Sequence, residues 1–288
     1  MFYLVISDNP GFKKRFWDVH GEKLNLGESM TLENFRLQKL KKIAETSEAG
    51  VIDLFAGCGV LSLGFHSEGF RILGGVENDP KAAESYYVNF HTNENNPALS
   101  APRDIVELCP LKFIQELYPA KDPRMLVDII IGGPPCQAFA RIGRAKLREI
   151  AEHPEAFKHD PRADLYLQYL KFVDELQPIA LVMENVIDIL NFGGQNIADE
   201  ICRRLEERGY ICRYTTLNAV YYGVPQMRER FFLLAFASEL NTVPDFPTPT
   251  HWIDLPDGYE NARRVALSNV ASEHSNWVES PEAAPNAP

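Results

Sequence analysis

The stretch VIDLFAGCGVLSLGF, residues 51–65, opens as an apolar run, breaks at Gly57 and Gly59, and resumes with apolar residues at helical spacing. An apolar run closed by glycines reads as a buried strand, and the segment as a whole as strand, tight turn and helix. The rhythm recurs outward from it. RILGGVE at 71–77, VDIIIGG at 127–133, IALVMEN at 179–185, ICRYTTLN at 211–218 and RFFLLAF at 230–236 are short apolar runs separated by longer amphipathic stretches. That alternation predicts an α/β fold whose mostly parallel sheet carries helices on both faces.

Helical spacing is clear in ADEICRRLEERGY at 198–210, where Ile201 and Leu205 share a face and Gly209 supplies the stop. Upstream, TLENFRLQKLKKIAE at 31–45 predicts a helix with Thr31 as N-cap, Glu33 in its first turn and Leu37, Leu40 and Ile43 on one side. Three segments follow: an N-terminal extension over 1–46 with one helix, a catalytic domain over 47–238, and a Pro-rich C-terminal segment over 239–288. The last of these ends in ESPEAAPNAP, which is too polar to pack and is expected to be a disordered tail.

With 288 residues, 45% of them hydrophobic, the chain can build a sizeable core. It contains no apolar run near the roughly 20 residues of a membrane span and no signal-peptide pattern at its start, so a cytoplasmic location is expected. Five cysteines, at 58, 109, 136, 202 and 212, form no CxxC pair, and the seven histidines show no ligand spacing. Neither a disulfide framework nor a metal site is expected. The net charge of -11 runs against nucleic-acid binding, which draws on surplus Lys and Arg. RIGRAKLR at 141–148, with Arg141, Arg144, Lys146 and Arg148, is a local exception that reads either as a solvated helix face or as a basic binding stretch.

Gly57 and Gly59 let the backbone approach a ligand at a helix N-terminus, although a glycine turn alone is also just a tight turn. Glu77 closes the second strand about 20 residues on, where a carboxylate can accept from ribose hydroxyls. The string GCGVLS lacks the third glycine of a dinucleotide site, which disfavours a nicotinamide cofactor and suits a nucleoside without phosphates such as S-adenosylmethionine. Asp104, in APRDI, falls where a further strand should end and could accept from an adenine amino group; alternatively it is a helix N-cap.

In the second half, VDIIIGG runs into PPCQ, so Gly132, Gly133, Pro134 and Pro135 stiffen a turn that holds Cys136 at the carboxyl end of the sheet, where α/β proteins bind ligands. An isolated cysteine is usually inert core, but the rigid turn and the basic stretch beyond it favour a reactive thiolate here. Glu184 and Asn185 end the next strand at the same edge, where burial would raise the pKa of Glu184 and make it a proton donor. Arg228 and Arg230, two apart where a strand begins, face one side and can orient a carbonyl and a carboxylate. Their alternative is as charges guarding a sheet edge.

In this order, DLFAGCG, GGPPCQAFARIG, MENV and YGVPQMRER resemble the cofactor, nucleophile, ENV and arginine motifs of the DNA cytosine-5 methyltransferase family, in its bacterial restriction-modification form. The resemblance covers residues 51 to about 236 and implies a Rossmann-like S-adenosylmethionine-dependent methyltransferase fold. It assigns catalytic roles to Cys136, Glu184, Arg228 and Arg230, and cofactor contacts to Phe55, Glu77 and Asp104. Asp53, Gly57 and Gly59 of the cofactor motif and Pro134 of the nucleophile turn are placed with them. It further implies addition of Cys136 to carbon 6 of a flipped-out cytosine in double-stranded DNA, with Glu184 at ring nitrogen 3 and an arginine at the carbonyl of carbon 2. Gln137 then lies near the vacated space, with Arg141 and Arg144 toward DNA.

The family's target-recognition domain and its last motifs have no counterpart in the fifty or so residues after Phe236. The expectation is a truncated product or one chain of a split enzyme, with a second chain carrying the missing domain. Two other readings share these motifs: a tRNA cytosine-5 methyltransferase, whose PPCQ string is similar, and an inactive remnant that binds cofactor without turnover. A nicotinamide oxidoreductase is disfavoured by the missing glycine and by PPCQ.

Overall fold

The computed structural model describes residues 31–94, 96–135, 165–191, 196–254 and 272–276. All six apolar runs are strands: β1 (Gly50–Leu54), β2 (Arg71–Val76), β3 (Ile129–Gly132), β4 (Ala180–Asn185), β5 (Tyr210–Asn218) and β6 (Glu229–Ala237). They form one sheet in the order β2-β1-β3-β4-β6-β5. β2, β1, β3 and β4 pair in parallel, whereas β6 is antiparallel to both its neighbours, β4 and β5. The sheet is therefore mostly parallel, with β6 alone reversed.

The helices are α1 (Leu32–Thr46), α2 (Val60–Ser67), α3 (Pro80–Phe90), α4 (Pro110–Leu117), the single turn α5 (Pro123–Leu126), α6 (Leu165–Leu176) and α7 (Ile197–Glu206). Side-chain alternation along the strands shows which face each covers. Asp53 meets Ser62 of α2, and a side chain on Gly75 would press on Tyr86 of α3. On the opposite face, a side chain at Gly132 would meet Tyr169 of α6 and one at Gly74 would meet Leu117 of α4. Helices thus lie on both faces, and the strand cores, including Val51, Ile52, Leu54 and Ile129 to Ile131, are fully buried between them.

Thr31 caps α1 as the sequence suggests, accepting from Asn34 N at 3.3 Å, and Leu40 and Ile43 are buried. Unexpectedly, so are Arg36 and Lys39. Lys39 Nζ donates to the carbonyls of Val127, Leu176 and Gln177, and Arg36 donates to Gln177 Oε1 and to the carbonyls of Arg208 and Gly209. These two cations satisfy loop carbonyls at the amino edge of the sheet that would otherwise be buried without a donor. Helical periodicity finds the apolar stripe of α1 but not this second, polar stripe beside it.

The region around Asp104 differs from the sequence expectation. It is a turn rather than a strand end: Asp104 Oδ1 accepts from Val106 N at 2.9 Å. Beyond β6, residues 241–254 return to the turn that follows β5, with Thr250 N and His251 N donating to the Tyr221 carbonyl and Trp252 stacked on Tyr221 at 4.6 Å. A short strap, residues 272–276, then pairs with the outer edge of β5 through Tyr214 and Ser275. The expected tail at 279–288 lies outside the described residues.

Candidate active site

Two groups of functional residues converge at the carboxyl edge of the parallel strands. The first surrounds a cavity of about 320 Å³ whose wall includes Phe55, Val76, Glu77, Asp104, Gly133 and Pro135, with Asn78, Arg103, Ile105 and Leu165 beside them. It sits where β1, β2 and β3 end, and three segments rich in small or bent residues make room for it. Phe55 itself holds φ at 60°, and Gly57 and Gly59 are likewise left-handed at 55° and 91°. A non-glycine residue in that region is uncommon, so the turn after β1 is held by its surroundings rather than by local preference. One brace is Glu77, whose Oε2 accepts from Gly57 N at 2.9 Å and whose Oε1 accepts from Asp79 N at 2.8 Å.

Phe55, Glu77 and Asp104 therefore stand together, as the sequence reading placed them. Asp53 does not join them. Its carboxyl is buried on the far side of the turn, accepts from Ser62 Oγ at 2.7 Å, and is pushed up to about 7 by burial. Phe55 follows the last residue of β1 and holds φ at 60°, so the alternation of the strand does not carry through to it, and Asp53 packs against α2 instead. Gly59 packs under Phe90 and Tyr86. Pro134 is buried, and the wall of the cavity is made by its neighbour Pro135.

The second group surrounds the ends of β3, β4 and β6. Gly132 is required because a side chain there would strike the Leu54 carbonyl at 2.5 Å. Gly133 keeps Glu184 close: a Cβ there would come 3.2 Å from Glu184 Oε2. Asn185 Nδ2 donates to the Pro134 carbonyl at 2.8 Å, tying β4 to the turn that leads into Cys136. Glu184 Oε1 pairs with Arg230 Nε at 3.2 Å, each side chain about one-fifth to one-quarter exposed. Burial raises the Glu184 pKa, while the Arg230 and Arg228 charges pull it back down. Arg228 is exposed just before β6 begins. Cys136, Gln137, Arg141 and Arg144 lie outside the described residues.

The pattern for C-5 cytosine-specific DNA methylases matches residues 49–280, most of the chain. The chain belongs to the C-5 cytosine-specific DNA methylase family. Among similar family members, the putative type II methyltransferase M.OihORF3336P of Oceanobacillus iheyensis is 39% identical over 201 residues, covering 70% of this chain and 42% of that protein. Type II methyltransferase M.AquIA of Picosynechococcus is 32% identical over 212 residues, covering 71% of this chain and 77% of that one. Thus the methylase chain spans less than half of the first relative and most of the second. A solved putative DNA modification methyltransferase from an E. coli prophage is 28% identical with a TM-score of 0.52, covering 73% of this chain and 56% of its own. The fold is accordingly the Rossmann-like one of S-adenosylmethionine-dependent methyltransferases. Among the described residues, no helix is long and apolar enough to cross a membrane.

Sequence reasoning missed Val76, Asn78, Arg103, Ile105 and Leu165 in the cavity wall. Arg103 and Ile105 flank Asp104 in the same APRDI string, so the signal was adjacency to a residue already singled out. Leu165 starts a helix far along the chain and carried no local signal.

Proposed function

We propose that this methylase transfers a methyl group from S-adenosylmethionine to carbon 5 of a flipped-out cytosine in double-stranded DNA. The observation that supports this best is the shared edge: Gly133 borders both the cavity and Glu184, so a nucleoside in one and a base beside the other are neighbours. The cavity fits the cofactor's adenosine half, with carboxylates of Glu77 and Asp104 for hydroxyl and amino donors and Phe55, Val76, Ile105 and Leu165 as apolar walls. When bound there, the cofactor supplies the electrophilic methyl group.

The chain's own residues do the rest. Glu184, held partly desolvated and oriented by Arg230, donates a proton or hydrogen bond to ring nitrogen 3. The Cys136 thiolate adds its electron pair to carbon 6, the 5,6 double bond shifts, and carbon 5 becomes nucleophilic. Arg230 and Arg228 hold the carbonyl at carbon 2. With S-adenosylhomocysteine as the leaving group of the transfer, the carbon-5 proton is then lost to solvent, the 5,6 double bond is restored, the thiolate leaves carbon 6, and the proton lent to ring nitrogen 3 returns to Glu184. Gln137, Arg141 and Arg144 belong to the DNA side. The net charge of -11 supports a second chain that carries the basic target-recognition surface. The catalytic unit comprises residues 47–238.

The test uses the full chain with S-adenosylmethionine and a duplex pool in which every cytosine carries fluorine at carbon 5, which blocks the last elimination. A denaturation-resistant adduct that disappears in Cys136→Ser is expected. Absence of any adduct on DNA, with adduct on 5-fluorocytosine tRNA, would reverse the choice of substrate, and absence on both even with a candidate second chain supplied would overturn the catalytic reading. Sequence-specific methylation by the chain alone would remove the second chain.

A further inference from the structure

Arg103, in the cavity wall, ties together several of the segments around it. Its main-chain N–H donates to the Glu77 carbonyl at 2.6 Å. Its guanidinium forks onto Glu116 of α4, Nη2 to Oε1 at 2.6 Å and Nη1 to Oε2 at 3.1 Å, and Nη2 also reaches the Ala98 carbonyl at 3.4 Å. The group lies 5.7 Å over the Phe113 ring. One residue thus binds the end of β2, the loop before it in space, and α4, while its successor Asp104 projects into the cavity as an exposed carboxylate.

Asp104 sits on a turn, closed by its own bonds to Val106 N and Glu107 N. The Arg103 N–H bond to the Glu77 carbonyl ties the start of the turn to the end of β2, and the orientation of Asp104 about that bond is left to what holds the Arg103 side chain. A bidentate arginine–carboxylate pair supplies geometric precision that a single lysine contact does not.

We propose that Arg103, locked by Glu116, is the positioning residue that sets base specificity in this cavity. It holds the Asp104 carboxylate where it accepts from the amino group of adenine. This rests on the reading of the cavity as an adenosine site. The hydrogen-bond pattern then decides the ligand: adenine offers an amino donor to Asp104, whereas hypoxanthine offers a carbonyl oxygen that a carboxylate repels. Specificity of this kind is lost when the acceptor drifts, since the penalty against the wrong base depends on its placement.

Calorimetric titration of the full chain with S-adenosylhomocysteine and with its inosine counterpart tests this without turnover. Wild type should prefer the adenosine ligand. Arg103→Gln should weaken its binding about tenfold and compress the preference to near unity. Glu116→Gln, on an exposed side chain outside the cavity, should do the same in smaller degree, and Arg103→Lys should recover part of both. A loss of fold alone would reduce active protein without changing the ratio of the two affinities. If Glu116→Gln and Arg103→Gln bind both ligands as wild type does, Arg103 has no such role. If wild type binds neither ligand, the adenosine reading of the cavity falls and this inference with it.

Discussion

Asn185 Nδ2 donates to the Pro134 carbonyl oxygen across 2.8 Å in a fully buried contact. The bond makes the last residue of β4 an anchor of the turn ending at Pro135, so in the proposed mechanism the residue beside the acid Glu184 also ties down the segment that precedes the nucleophile. Asn185→Ala leaves that carbonyl without a donor, which costs about 1–3 kcal/mol, and frees the turn. We expect a cooperative fold with a reduced melting temperature and a loss of adduct formation of at least tenfold. Unchanged adduct kinetics in the variant would show that the turn holds itself.

The Glu184–Arg230 pair predicts a pH effect with a definite sign. Burial raises the Glu184 pKa and the two arginines lower it. Arg230→Ala removes the stronger of those opposing charges, so the carboxyl remains protonated to higher pH than in wild type. Activity that depends on protonated Glu184 should then show its alkaline limb displaced upward, on a lower maximum because the proposed mechanism also has Arg230 hold the base. A limb that moves downward, or is unmoved, contradicts the electrostatic account of this acid.

Asp53 predicts the reverse of ordinary carboxylate behaviour in stability. Its folded pKa, about 7, lies above the ordinary aspartate value of 3.8. The folded state therefore binds more protons than the unfolded state between those values, and stability falls as pH rises through that window. Asp53→Asn imitates the protonated form. It should stabilise the fold at pH 8, by an amount on the order of a few kcal/mol from the size of the shift, and flatten the decline between about pH 4 and 7. Denaturant unfolding at a series of pH values reads both; a variant less stable than wild type at pH 8 would mean the charge is held by something other than Ser62.

Much of this architecture is legible in the residues themselves. The six strands stand out because each is a short apolar run, and burial on both faces of a parallel sheet demands such runs. The four motifs are local strings at strand ends, so a reading of strands also places Glu77, Glu184 and Arg230 on one edge. What escapes is whatever depends on long-range contact. Lys39 and Arg36 look like a solvated helix face until their carbonyl partners at Val127 and Arg208 are known. Asp104 resembles a strand end because the turn that replaces the strand is stabilised by Arg103 and Glu116, thirteen residues apart. Asp53 and Pro134 sit inside motifs whose neighbours reach the cavity, and only side-chain direction separates them from Phe55 and Pro135.

Gly57 and Gly59 look equivalent in sequence but are not in space. Both are left-handed, yet a Cβ at Gly57 meets nothing within 4 Å, whereas one at Gly59 would collide with Phe90 and touch Tyr86 at 3.0 Å. Gly57→Ala should cost about 1 kcal/mol, the backbone penalty alone. Gly59→Ala adds overpacking to the same penalty, for a total of roughly 2–4 kcal/mol, and shifts α3 away from the cavity. Thermal unfolding should separate the two variants by several degrees, and equal melting temperatures would refute the distinction.

The strap at 272–276 offers the last prediction. His274 is buried with Nδ1 3.1 Å from Asp199 Oδ1 and Nε2 3.0 Å from Glu206 Oε1, both on α7. Ser272 Oγ donates to the same Asp199 oxygen at 2.6 Å. The main chain adds Tyr214 N to the His274 carbonyl and Asn276 N to the Tyr214 carbonyl. Two backbone bonds cannot hold five residues on a sheet edge against their chain entropy, so the side-chain anchors decide whether the strap stays. His274→Ala removes two of them and leaves Asp199 and Glu206 facing a gap. Amide exchange at Asn276 should accelerate at least tenfold while exchange in β1, β3 and β4 is unaltered. Because the strap covers β5 and not the cavity, affinity for S-adenosylhomocysteine should be unchanged. A strap that keeps its protection in His274→Ala would show that backbone pairing alone suffices.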